Sequence, residues 1–354
     1  MRRLLGIAAA LALAACGDEF DPASRVDGLR VLGVRAEPPE IALPEIGAGH
    51  GLPPGAALSA LVADPDQVTE PGRAASVVYL SCTEDPLAPY AGVCTSFDSF
   101  RDVPALARAA LPPGEPLGRG EVGHVTLSGL EGCVHGEPCA PPVGVPEPAY
   151  VMPPELRLDL LPAGMPQRIL GMEVIVVAVA IAASPVELLA GGGIAGVPGR
   201  LAELFEEREH VVAVKRLQVR GPDAPDEPNR NPIVRGLAVD GAELPLEPEE
   251  GPVLARKARV DLSAVLPPGA DQLFQRYTDL DAFGDPIGPA VEEWVYSFFA
   301  TAGDLDRVHT RDAAETNEYT APDEAPAGGE AVFYLVVRDH RGGADWLQRR
   351  VRIE

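Results

Sequence analysis

The sequence predicts an all-β protein with one or two short helices, built as antiparallel β-sandwiches. Three observations carry this. Apolar and polar residues alternate with a period of two along several short segments of the second half. The most apolar run of the body, 172–183, is dominated by β-branched residues (Val174, Ile175, Val176, Val177, Val179, Ile181), which suits a strand buried on both faces. The 38 prolines are scattered without repeat, at about twice the usual ~5% share, and favour turns and sheet edges over long helices.

The N-terminus is of another kind. Arg2 and Arg3 precede an uncharged run of twelve residues, 4–15. A positive start, a short apolar run and small residues before a cut make a secretory signal. The run falls short of the ~20 residues that a spanning helix requires. It closes on Leu13-Ala14-Ala15-Cys16, which resembles the lipobox of bacterial lipoproteins. The resemblance implies cleavage before Cys16, lipidation of that cysteine and a membrane partner held through the lipid anchor. In the sorting rule of such lipoproteins, Asp directly after the cysteine retains the protein at the inner membrane. Gly17 stands there, so the resemblance leans to the outer membrane. Residues 16–27 read as lipidated N-terminus and polar tether, and ten extended residues reach at most ~35 Å.

Strands are expected at 29–36, ended by Pro38-Pro39, at 57–63, closed by Asp64-Pro65, and at 75–82. Residues 83–120 read as loop with a short helix at 103–111; further strands are expected at 122–127 and 156–161. Glu173 and Glu187 bracket the apolar run 172–183, leaving it too short to span a membrane. A helix is expected over 198–210, with Pro198 in its first turn and Leu201, Leu204 and Phe205 on one side. A strand at 211–219 closes this first domain, 28–220. Residues 221–232 carry four prolines and four charges, three of them acidic, and read as a linker.

The second domain, 233–354, alternates cleanly. Ala258, Val260 and Leu262 oppose Lys257, Arg259 and Asp261; Trp294, Tyr296 and Phe298 oppose Glu293 and Ser297. Ala331, Phe333, Leu335 and Val337 share one face. Leu347, Val351 and Ile353 oppose Gln348, Arg350 and Arg352. Asp339-His340-Arg341-Gly342-Gly343 between them reads as a hairpin turn. The words LRVLGVRAEPPEI (29–41) and VVRDHRGGADWLQRRVRI (336–353) resemble the opening and closing strands of immunoglobulin-like modules in uncharacterised lipoproteins of myxobacterial type. That resemblance implies tandem immunoglobulin-like antiparallel β-sandwiches with no catalytic residues to carry over. The loop at 83–150 and the helix at 198–210 depart from a plain module.

Net charge is −24, which repels phosphate backbones and excludes nucleic acid as an expected partner. It suits a cationic ligand or a basic surface on an envelope protein. Setting Cys16 aside leaves Cys82, Cys94, Cys133 and Cys139, an even count that reads as two disulfides in an exported chain. Three pairings are open, and the local ones, Cys82–Cys94 and Cys133–Cys139, are preferred.

Few constellations suggest chemistry. Gly191 to Gly196 fits G-x-G-x-x-G, but it stands too far after its strand and reads as a crossover. Cys133, His135, Glu137 and Cys139 have the chemistry of a zinc site, against which the exporting compartment favours a disulfide loop. The H-x-E and P-C words there resemble those of zinc deaminases, without the second cysteine of P-C-x-x-C. Asp279, Asp281 and Asp285 offer oxygen ligands with Gly284 at the sixth place, as a Ca2+ loop would, but Ala290 replaces its closing glutamate. There is no G-x-S-x-G word, and the six histidines are scattered. Trp346 falls on the polar face of its strand, which leaves ligand contact open. The expectation is therefore a non-catalytic, lipid-anchored binding or structural module of the cell envelope, without a resident cofactor. The alternatives are a metal-assisted hydrolase using His135, Glu137 or the 279–285 loop, and a calcium-stiffened adhesin.

Overall fold

The computed structural model describes residues 23–43, 54–70, 72–83, 102–110, 124–153 and 156–354. The first domain contributes β1 (Arg30–Glu37), β2 (Glu40–Ile41), β3 (Gly55–Ala63), β4 (Ala75–Thr83), β5 (His124–Cys133), β6 (Ala149–Val151), β7 (Met172–Ile181) and β8 (His210–Val219). The second contributes β9 (Gly236–Val239), β10 (Ala242–Glu243), β11 (Val253–Leu254), β12 (Arg259–Val265), β13 (Arg276–Leu280), β14 (Pro286–Val291), β15 (Val295–Ala300), β16 (Asp304–Leu305), β17 (His309–Thr310), β18 (Asn317–Thr320), β19 (Glu330–Arg338) and β20 (Ala344–Ile353). Among the described residues five short helices accompany them, more than the one or two expected: α1 (Asp66–Thr69), α2 (Val103–Ala109), α3 (Gln167–Leu170), α4 (Pro185–Leu189) and α5 (Gly193–Leu204).

Each domain is an immunoglobulin-like sandwich, and the two share one strand plan. In the first, β2-β8-β7-β4-β5 faces β1-β3-β6. In the second, β11-β20-β19-β15-β17 faces β10-β9-β12-β18-β16. In both, the opening strand lies in one sheet and the chain then crosses to pair in parallel with the last strand, β2 on β8 and β11 on β20. Proline marks both crossings, Pro38-Pro39 and Pro245, Pro248 and Pro252, because a residue without an N–H cannot extend a ladder.

The alternation over 257–262, part of a strand expected at 254–262, therefore does not belong to one strand. Leu254 ends β11, the chain turns through Lys257 at positive φ, and β12 begins at Arg259 in the opposite sheet. The expected strand at 156–161 is a 3-10 turn, Leu158–Leu160, hemmed by Pro153 and Pro162. Its Asp159 carbonyl accepts from Arg168 at 2.8 Å. The helix expected at 198–210 starts earlier, at Gly193, and ends at Leu204. Gly193 to Gly196 form its first turn instead of a crossover. Pro198 stands inside it, where its ring costs only the bond to a carbonyl of that first turn. The apolar stripe is as expected, with Leu201 and Leu204 buried.

Four cores stack in series. Val77, Tyr79, Val174 and Val176 of the five-stranded sheet meet Val34, Leu58, Ala60 and Val62 of the three-stranded one. The far face of the five-stranded sheet (Val78, Leu80, Val177, Val179) is covered by Leu106 of α2, Leu188 of α4 and Leu201 and Leu204 of α5. This explains why β7 is apolar on both faces. The second sandwich closes around Tyr296, Phe298, Tyr319, Phe333 and Leu335. The fourth core joins the domains: Val26, Leu32, Leu61 and Ala63 pack on Val332, Tyr334 and Val336, with Phe299 and Trp346 alongside. No helix among the described residues is long and apolar enough to cross a membrane.

Candidate functional site

Cys16, Cys94 and His50 lie outside the described residues. From residue 23, the first described residue, the chain is docked. Ser24 and Val26 are buried, the Val26 amide donates to Ala300 O at 2.8 Å, and the Ala300 amide donates to Ser24 O at 3.0 Å. Residues 23–27, counted with the tether on sequence grounds, thus pair with the end of β15 in the second domain. Leu29 then donates to Glu209 at 3.3 Å, beside the start of β8. The Arg73 guanidinium binds both Glu209 and the buried Asp64, which holds the β3–β4 connection at the same end; these carboxylates hold its proton more tightly than usual.

Cys133 and Cys139 are bonded to each other, as preferred from their spacing, so neither is a free thiolate for a metal. Cys82 is also in a disulfide. Between Cys133 and Cys139, the His135 amide donates to Gln67 Oε1 at 2.7 Å, and Gln67 Nε2 donates to the Cys133 carbonyl at 3.2 Å. The loop is thereby fastened to α1. Burial pushes the His135 imidazole below its ordinary range. Glu137 is exposed. Asp281 and Asp285 fall in the turn between β13 and β14, and Asp279 lies on β13. The Asp281 carboxylate accepts from the Phe283 and Asp285 amides at 2.8 and 2.9 Å, which shapes the turn. Among the described residues, no group of three or more His, Cys, Asp and Glu side chains gathers as a metal cluster.

The densest polar construction is the joint between domains. The turn 339–343, the expected hairpin turn, is enclosed there. Buried Asp339 accepts from Asn229 Nδ2 and from the Arg341 and Gly343 amides, each at 2.8 Å. The Asn229 amide donates to Glu40 Oε2 at 2.6 Å, and Arg341 reaches buried Glu292 at 3.1 Å. Lys215 donates to the Gly342 carbonyl, and burial lowers its ammonium to about 8. Asn231 donates to Ala36 O at 2.8 Å and accepts from the Ala344 amide at 2.9 Å. Residues 221–232 have neither strand nor helix, yet their asparagines bond to both domains.

Trp346 belongs to this joint and not to a ligand surface. Arg35 lies 5.0 Å over its ring and pairs with Asp345 at 2.9 Å. A Cβ on Gly33 would come within 3.2 Å of the indole, so glycine is what admits the ring. Periodicity placed Trp346 on the non-core face of its strand correctly. It carried no signal that a second sheet covers that face, nor that Glu40, Asn229, Asn231, Glu292 and Asp339 form one network.

One element stands outside both sandwiches. The β13–β14 hairpin is inserted between β12 and β15, pairing Arg276 with Val291 at its base. Phe283 at its tip is 73% exposed and Ile287 67%. Gly284 approaches Ile169 of α3, next to the end of β8. The docked N-terminal segment and the hairpin tip therefore lie at opposite ends of β8, ten residues or ~33 Å apart.

No family model matches the chain, and no curated protein matches it. Among solved structures it is similar to a nucleoside hydrolase-related hypothetical protein from Saccharophagus degradans associated with carbohydrate metabolism, at 15% identity over 36% of this chain and 27% of that one, TM-score 0.19. It is also similar to Escherichia coli alpha-2-macroglobulin activated by porcine elastase (12% identity, 95% and 22%, TM-score 0.18) and to dimeric latent PorU from Porphyromonas gingivalis (10% identity, 92% and 24%, TM-score 0.19). The chain spans about a quarter of the length of these structures. Likenesses at such TM-scores carry no argument about this protein.

Proposed function

We propose that the protein is a non-catalytic, lipid-anchored module of a bacterial cell envelope, held at a membrane face through Cys16 and acting by contact with a partner. Gly17 after the cysteine favours the outer membrane. The observation that carries the reading is the adjacency of two features. A cysteine closing a signal-like run stands seven residues, 16–22, before a segment packed into the domain joint. Those seven residues extend to at most ~25 Å, so an acyl chain on Cys16 would hold the docked end of the body close to its bilayer. Attachment by acyl chains is compatible with the acidic surface, because it needs no basic patch. The rigid joint would then fix the orientation of everything beyond it.

The test is fractionation of Cys16→Ser in cells. The variant is expected to leave the membrane pellet on washing without detergent, with its melting midpoint unchanged, since residue 16 precedes both sandwiches in the sequence. A variant that stays with the pellet as the parent does would refute the anchor.

A further inference from the structure

The β13–β14 hairpin serves neither sandwich core, and its two faces differ. On one, Tyr277 lies beneath the Arg341 guanidinium at 4.5 Å and Ala290 stands opposite it, half-buried. On the other, Pro289 and Val291 alternate and are exposed; Ile287, at the register shift beside the turn, and Phe283, at the tip, are exposed as well. Leu160, 70% exposed, lies at the same end of the molecule. Three large apolar side chains on one small element exceed the scattered exposure that needs no explanation.

The edges narrow what this face can meet. The outer edge of β13 is taken, because the Thr278 amide donates to Asp226 at 2.7 Å. β14 carries Pro286 and Pro289, which have no N–H, so the hairpin is a poor template for an added strand. Contact must run through side chains. At the two ends of the apolar row stand the exposed carboxylates Asp285 and Glu293, with Arg276 opposite Val291. An acidic rim repels anionic headgroups, and the tip lies a strand length from the end where a tether from Cys16 would enter.

We infer that the outer face of this hairpin is a docking surface for a protein segment with an apolar centre flanked by Lys or Arg. The inference rests on the envelope location proposed above and adds to it the surface and the chemistry of the partner. The apolar row supplies area, and the carboxylate rim supplies orientation and salt-sensitive encounter.

The experiment places p-benzoylphenylalanine at Ile287 of the full chain in its native envelope, with Val186 of α4, at the other end of the molecule, as control. Irradiation is expected to give one discrete protein adduct from position 287 and none from 186. The cross-link should map to a Lys- or Arg-flanked apolar segment. Its yield should fall at least five-fold with Asp285→Asn and Glu293→Gln combined, in a chain whose melting midpoint is unchanged. Lipid adducts, an adduct to a second copy, the same product from both positions, no adduct from 287, or indifference to the charge change would each overturn the inference. The mass of the N-terminal peptide is read in the same samples. An unacylated chain that still forms the adduct removes the anchor alone, and an acylated chain without it removes the docking surface alone.

Discussion

Glu131 sits on β5 with 4% exposure, facing the first core, where its carboxylate accepts from the buried Tyr79 hydroxyl. Burial pushes its carboxyl up to about 7, against the lowering effect of that hydroxyl and of the Ala60 amide. Its folded value thus lies above its unfolded one. Stability from this group is whole below about 4.5 and is lost as pH rises toward about 7, because the unfolded chain has already released the proton. At ~1.4 kcal/mol per unit the loss is roughly 3 kcal/mol. Glu131→Gln keeps the acceptor and removes the ionisation. It should melt higher than the parent at pH 7.5 and alike at pH 4; an equal gap at both would contradict the assignment. The comparison must be with the variant, since His135, lowered by burial, acts in the opposite sense.

Among elements, the 133–139 loop makes the most local prediction. Replacing both Cys133 and Cys139 by Ala opens a seven-residue loop and should cost about 2 kcal/mol in urea unfolding. A loss near zero would mean that Gln67 alone holds the loop. β12 and β20 were legible because one face meets a core while the other carries polar residues: Val260 with Leu262 and Val351 with Ile353 are buried as their alternation required, whereas β19 is apolar and buried on both faces. Legibility failed where a partner distant in sequence decides the outcome. A proline inside α5 reads as a helix start because the glycine-rich turn before it, 193–196, carries no apolar periodicity, although Val197 beside it is buried. The leucines of 156–161 look like a strand until Arg168 takes up the Asp159 and Leu161 carbonyls. The tip of the candidate docking hairpin reads in sequence as an acidic, calcium-like loop, and its composition says nothing of which face of the hairpin stays uncovered.

At the scale of the whole molecule, the two domains should behave as one body. The outer face of β1-β3-β6 is buried against β19, and the joint's hydrogen bonds leave no unbonded spacer between them. Calorimetry of the parent is expected to give a single transition. Asp339→Ala strips three donors of their acceptor and should lower stability by about 3 kcal/mol or more, or split the transition in two. An unchanged single transition would show that the joint is held by apolar packing alone.

The claim on which the functional account turns is that this body is tied to a bilayer at its docked end. The most direct measurement is the mass of the N-terminal peptide of the mature protein recovered from envelopes. The account predicts a peptide that begins at Cys16 and carries acyl chains on that residue. A peptide that begins elsewhere, or begins at Cys16 with an unmodified thiol, would contradict it.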